Sequence, residues 1–308
     1  MFISKLNSWL EEVDPYYTQR ILLRKGLYLA TWLTFINWIA RPDAFTAYAM
    51  PPILLVALCE TANLDTHKQK DTVLAFSFSL SAFTSATFYM LFPFKFYLLF
   101  FVLGYYFALY WLCDLFFAKF KPFIVQTIFV GALNLMTTPP ASLQIAIDMV
   151  FCVCLSMMVT FVALKLHPNL YAEIWYRGFK HFISKIEDDI VSAINRTPLA
   201  NFTKGVEHLN IIRSYRRLLP KKIMRNAVQV VVSVRNINFA LTHIYLIEKN
   251  EGFWFNFKQQ MHQLVLAIEE KRICQPIIFK YSQEANEKFA QQNLSRAIHT
   301  WNKLCSKL

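Results

Sequence analysis

Glycine is scarce in this chain, with six in 308 residues, and neither GxxxxGK[ST] nor GxGxxG occurs. Both motifs need glycine so that the backbone itself can close around a phosphate. ATP hydrolysis by this chain is therefore not expected. HExxH and GxSxG are missing as well, which leaves hydrolase chemistry without residues to carry it. The chain reads as a non-enzyme that needs no cofactor and no metal. Cysteine is equally uninformative: Cys59, Cys113, Cys152, Cys154, Cys274 and Cys305 show no paired metal spacing. Cys152 and Cys154 lie two apart in an apolar run, where helical geometry points them in different directions. No disulfide framework is implied, which suits a reducing compartment. No cleavable signal peptide is expected, because Glu11, Glu12 and Asp14 interrupt the first twenty residues.

The most telling shortage is of charge in the first half. Residues 1–164 carry a net charge of +1 and residues 165–308 one of +11, together the chain's +12. Phe, Leu and Tyr fill the first part, in runs long enough to cross a hydrocarbon core of roughly 30 Å. Six are expected as spans: 21–40, 44–64, 72–92, 96–117, a short one at 123–137, and 143–164. The fifth is short enough to be tilted, broken or re-entrant. Lys5, Arg20, Arg24, Lys25, Lys68, Lys70, Lys119 and Lys121 then fall on one side, with only Arg41 and Lys95 on the other. By the positive-inside rule, both termini are expected in the cytoplasm of an inner (plasma) membrane, multi-pass protein.

The expected fold class is all-α. Residues 1–20 form an amphipathic N-terminal segment, 21–166 the six-span domain, and 167–308 a basic helical bundle in the cytoplasm. In that last part, Ile174, Phe179, Phe182, Ile183, Ile186 and Ile190 recur at helical spacing. Further helices are expected over 198–219, 220–249, 253–274 and 282–308. Val228–Val234 has strand-like composition but helical flanks, and helix is favoured. The cluster Arg213, Arg216, Arg217, Lys221, Lys222 and Arg225 fits anionic lipid headgroups better than nucleic acid, since each basic residue near such a surface gains about 1 kcal/mol.

Chemistry is then sought among ionisable and amide side chains inside spans, where burial in lipid costs several kcal/mol and marks a cavity or a partner. Arg24 and Lys25 enter the first span, with Glu60 and Asp114 near the same level. These four would make a charged cluster on the cytoplasmic side. Asn37 and Asn134 lie toward the outer face. Asp148 sits deeper in the sixth span, among Ile145, Ala146, Ile147, Met149 and Val150. Snorkelling to the interface is the rival reading for Arg24, Lys25 and Asp114, and a hydrogen bond to Asn134 or Gln144 the rival for Asp148. Pro51-Pro52 and Pro139-Pro140 interrupt helices near the outer face.

The stretch Leu23-Arg24-Lys25-Gly26-Leu27, a first span ending in Trp38, and Phe45-Thr46-Ala47-Tyr48-Ala49 before the second span resemble the opening of the fusaric acid resistance (FUSC) and aromatic acid exporter family. The plant aluminium-activated malate transporters are similar in layout. The resemblance implies a homodimer that moves organic or aromatic anions, with Arg24 at the family's first-span arginine. A periplasmic adaptor protein would be a further candidate partner. The family's Gly-rich, Arg-bearing segment after the second span is replaced here by residues 65–71, DTHKQKD. The expected function is an inner-membrane exporter of organic anions, with Asp148, Glu60 or Asp114 coupling protons. The alternatives are a membrane-anchored scaffold whose basic domain binds a cytoplasmic partner or anionic lipid, and a passive anion channel.

Overall fold

The computed structural model describes the chain apart from residues 1, 43–47, 50–51, 53–54, 58, 61–63, 65, 117, 137–142, 196–201, 248–249, 276–281 and 308. Among the described residues the fold is all-α, with no strand. It divides into two compact units, one made of Met1–Tyr17 with Leu170–Leu308, the other of Thr18–Asn169.

The first unit holds α1 (Phe2–Val13), α7 (Tyr171–Ile194), α8 (Phe202–Tyr215), α9 (Lys221–Ile247), α10 (Glu251–Glu269) and α11 (Ala285–Cys305). On α7 the apolar positions recur every three or four residues, so Phe179, Phe182, Ile183, Ile186 and Ile190 form one buried stripe. That stripe meets Val230, Val234 and Ile237 of α9, Leu264 and Ile268 of α10, and Trp301 of α11 in a single core. Trp301 is fully buried, and its Nε1–H donates to the Arg272 carbonyl at 2.9 Å, which satisfies the one polar atom of the ring. Asn250 caps α10 by accepting from the Phe253 amide at 3.3 Å and donates to Glu287 of α11 at 2.9 Å. Val228–Val234 lies within α9, where the packed helical flanks override its strand-like composition.

The N-terminal segment is fastened to this unit by histidines. Tyr16 Oη and His208 Nδ1 lie 2.7 Å apart, His181 Nε2 is 3.2 Å from the Pro15 carbonyl oxygen, and the two imidazoles stack at 5.9 Å. Burial pushes the His181 pKa below its ordinary 6.5, helped by Lys180 and Arg177 and opposed by the Pro15 hydrogen bond and Glu11. The unfolded chain therefore binds this proton more readily than the folded one. Stability falls as pH drops below 6.5 toward the lowered folded value, and is unaffected above it. Amide protection over residues 2–17, taken relative to the intrinsic exchange rate at each pH, is expected to fall between pH 7 and 5, and His181→Gln is expected to flatten that dependence. Equal protection at both pH values would contradict it.

The second unit holds α2 (Thr18–Ala40), α3 (His67–Leu91), α4 (Lys95–Phe116), α5 (Lys121–Met136) and α6 (Leu143–Leu166). Among the described residues, three helices are long and apolar enough to cross a membrane: α3, α4 and the 147–166 part of α6. Of the other expected spans, the first is a single helix of 23 residues carrying Arg20, Arg24 and Lys25. The second falls largely outside the described residues. The fifth is a helix of 16 residues, with an apolar stretch over Phe123–Ala132 among the residues whose side chains are described.

This unit is apolar outside, and beside apolar clusters such as Val73, Leu74, Phe123 and Val153 it buries a set of polar side chains. Phe96, Phe100, Leu103, Phe107 and Trp111 of α4 are each more than half exposed. Ser77, Ser81, Thr84, Ser85, Gln126 and Thr160 are at most 2% exposed. A water-soluble domain arranges these groups the other way round. Lipid removes the penalty on an apolar exterior and makes the interior the place for polar side chains.

Candidate functional site

The site begins at a buried charge cluster in the second unit. α2 buries one face, Ile21, Lys25, Leu29 and Leu33, at a spacing of four. Arg24, one residue away and about 100° round the helix, is exposed. Lys25 Nζ donates to Glu60 Oε1 at 2.6 Å, and Lys70 Nζ donates to Glu60 Oε2 at 3.1 Å. The three side chains are only 9%, 13% and 10% exposed for Lys25, Glu60 and Lys70. Two ammonium groups thus share one carboxylate, and the three charges sum to +1. Desolvating three ions is costly, and close paired geometry offsets part of that cost.

Lys70 stands in the first turn of α3, which Thr66 caps by accepting from the Gln69 amide at 3.2 Å. From there the buried face of α3 continues through Ser77, Ser81, Thr84 and Ser85. Fifteen residues of helix extend this row roughly 22 Å from the charge cluster. α5 and α6 pack on that helix. They bury Gln126 and Thr127, and Ser156 and Thr160, respectively.

Ring contacts fix the level of Gln126. Phe76 of α3 lies 5.4 Å from Phe120, just before α5, and Phe88 and Tyr106 both crowd Gly131. Gln126 falls midway between 120 and 131, and Ser81 lies close to midway between 76 and 88, so the two stand at the same height.

Hydrogen bonding divides this row in two. Ser156, Thr160 and Thr84 donate back to the carbonyls of Val153, Ser156 and Leu80 at 3.0, 2.7 and 2.8 Å. Ser77 Oγ, Ser81 Oγ and both amide atoms of Gln126 are buried and make no hydrogen bond to any described residue. Buried polar groups ordinarily find a partner, and leaving one without costs about 1–3 kcal/mol. Four such atoms at adjacent levels mark a place suited to a polar guest.

The remaining sequence candidates are spread out. Asp114 accepts from Lys121 at 2.7 Å in an exposed pair, with the ammonium also 4.4 Å from the Tyr110 ring. No ion pair joins it to the Lys25–Glu60–Lys70 cluster. Asn37 is half-buried and lines an apolar groove of about 610 Å³ with Gly26, Ala30 and Thr34. The Asn134 side chain lies outside the described residues. Asp148 is half-buried and makes no hydrogen bond or ion pair to a described residue. Its neighbours Ile147 and Phe151 share a cleft with Ala86 and Tyr89 of α3, which puts it near the far end of the Ser77–Ser85 row.

Sequence reasoning missed Lys70 as a buried partner and passed over the serines and Gln126. Among the described residues no cluster of His, Cys, Asp and Glu is placed to hold a metal ion. No protein-family model matches the chain, and no curated protein does either.

Proposed function

We propose that this protein carries organic anions, aromatic acids among them in keeping with the resemblance to the FUSC and aromatic acid exporter family, across a membrane through its second unit. The reading takes the chain as a six-span, inner-membrane homodimer with both termini in the cytoplasm. The observation that carries it is the buried Lys25–Glu60–Lys70 cluster continued by the unsatisfied Ser77, Ser81 and Gln126 row, inside a unit whose exterior is apolar. Two ammonium groups attract an anion to one end of the row. The hydroxyls and the carboxamide, each able to donate and accept, then replace water around the solute. Asp148 supplies a titratable group near the other end.

Flux of radiolabelled benzoate and 2-naphthoate into proteoliposomes tests this reading, with and without an imposed proton gradient. Gradient-dependent uptake is expected, and Asp148→Asn is expected to lower it at least tenfold. Uptake indifferent to the gradient would favour a passive anion channel. Unchanged uptake in Asp148→Asn would remove its coupling role. Arg24 is exposed on α2, and Arg24→Ala is expected to leave flux within twofold. No flux of any organic anion would turn the reading toward a membrane-anchored scaffold.

A further inference from the structure

A groove of about 470 Å³ lies between α8 and α9 in the first unit, a volume in the range of small-molecule sites. Its walls are apolar, with Leu209 and Ile212 of α8 and Val228 and Val232 of α9 among them. Arg213, Arg216 and Arg235 also line it, while no aspartate or glutamate does among the described residues. None of the three arginines is paired with a described acidic residue.

The floor adds an independent sign of a ligand. Trp175 lines the groove and is 3% exposed, held by stacking on Phe179 at 5.4 Å. Its Nε1–H is buried and has no acceptor among the described residues. An indole nitrogen only donates, and burying that donor unmet carries its full desolvation cost. Trp301, in the same core, has its carbonyl acceptor. The groove therefore offers three guanidinium groups and the Asn210 amide, with no carboxylate among its described lining residues, above an apolar body. That combination suits an anion with a hydrophobic part.

We infer that this groove is a binding site for a soluble amphiphilic carboxylate, an organic acid with one aromatic ring system or a short alkyl chain. The planar guanidinium groups match a carboxylate's two oxygens, and the valine and leucine walls take the apolar body. The site lies wholly in the first unit and stands whether or not the second unit transports anything.

The test uses the full-length protein in phosphatidylcholine nanodiscs, titrated calorimetrically with 2-naphthoate, benzoate and decanoate. At least one acid is expected to bind saturably, with the corresponding neutral alcohol at least tenfold weaker. Arg216→Gln combined with Arg235→Gln is expected to weaken the acid about tenfold or more while leaving the alcohol unchanged. Trp175→Phe, which keeps the ring and loses the N–H, is expected to weaken it severalfold with the helical circular dichroism intact. Binding that survives the arginine pair, or no binding of any of the three acids, would overturn the proposal. Displacement of the acid by phosphatidylglycerol in the disc would also overturn it, by assigning the groove to a lipid headgroup.

Discussion

Glu60→Gln is expected to lower stability by about 3–5 kcal/mol, because it leaves two buried ammonium groups facing each other without their shared carboxylate. Lys25 and Lys70 both donate to that carboxylate, at 2.6 and 3.1 Å, and neither side chain is more than 10% exposed. An amide accepts a hydrogen bond but supplies no countercharge. Denaturation of the purified protein in mixed micelles reads the loss directly. The companion variant replaces all three residues at once, Lys25→Met, Glu60→Leu and Lys70→Met. Removing a whole buried ion cluster is often neutral or stabilising, so this chain is expected to regain most of the lost stability while failing to carry anions. If Glu60→Gln were as stable as the parent, the shared carboxylate would not be what holds the two ammonium groups. If the triple variant transported normally, the cluster would be structural only.

The second large effect is expected at Gln126, and it separates folding from function in the opposite direction. Gln126→Leu removes two buried polar atoms that have no partner among the described residues, so stability should hold or rise by about 1 kcal/mol. Anion flux should nevertheless fall at least tenfold, because a polar guest loses its donor and acceptor midway along the row. Ser81→Ala, at the same level, should act in the same sense and more weakly. A Gln126→Leu protein that was markedly less stable would mean that the carboxamide is a packing element.

The helices of the first unit were legible from apolar spacing, since burial on one face is what that spacing encodes, and those of the second from the length of its apolar runs. The charge cluster was only half legible. Lys25 and Glu60 stand out as ions inside apolar runs, but Lys70 sits in DTHKQKD, which hydropathy reads as a loop. The signal that identifies it is local: Thr66 followed three residues later by Gln69 is a helix N-terminal pattern. It places Lys70 on the first turn of α3 and, by helical spacing, on the buried face that continues through Val73, Leu74 and Ser77. Arg24 and Lys25 are equivalent in the sequence, and only the packing of α2 decides which is buried. Asp114 is settled by Lys121 across the turn after α4, a contact that span-by-span reading does not weigh.

The serines were hidden for another reason. Hydropathy treats serine and threonine as nearly neutral, so Ser77, Ser81, Thr84 and Ser85 do not interrupt an apolar run. Their common spacing of three and four does place them on one face of α3. What spacing leaves open is whether that face meets lipid or protein, and Gln126 of α5 supplies the answer through its burial.

Transport through the second unit requires that the row beyond the charge cluster admit polar solutes from water. Ser81→Cys, in full-length protein in nanodiscs, tests this through modification by a small negatively charged thiosulfonate, read by mass spectrometry at residue 81. Phe83→Cys, on the exposed side of α3, serves as the lipid-facing control. Residue 81 is expected to be modified, and to be protected by an organic anion, while residue 83 stays unmodified. A cysteine at 81 as inert as the one at 83 would contradict the account.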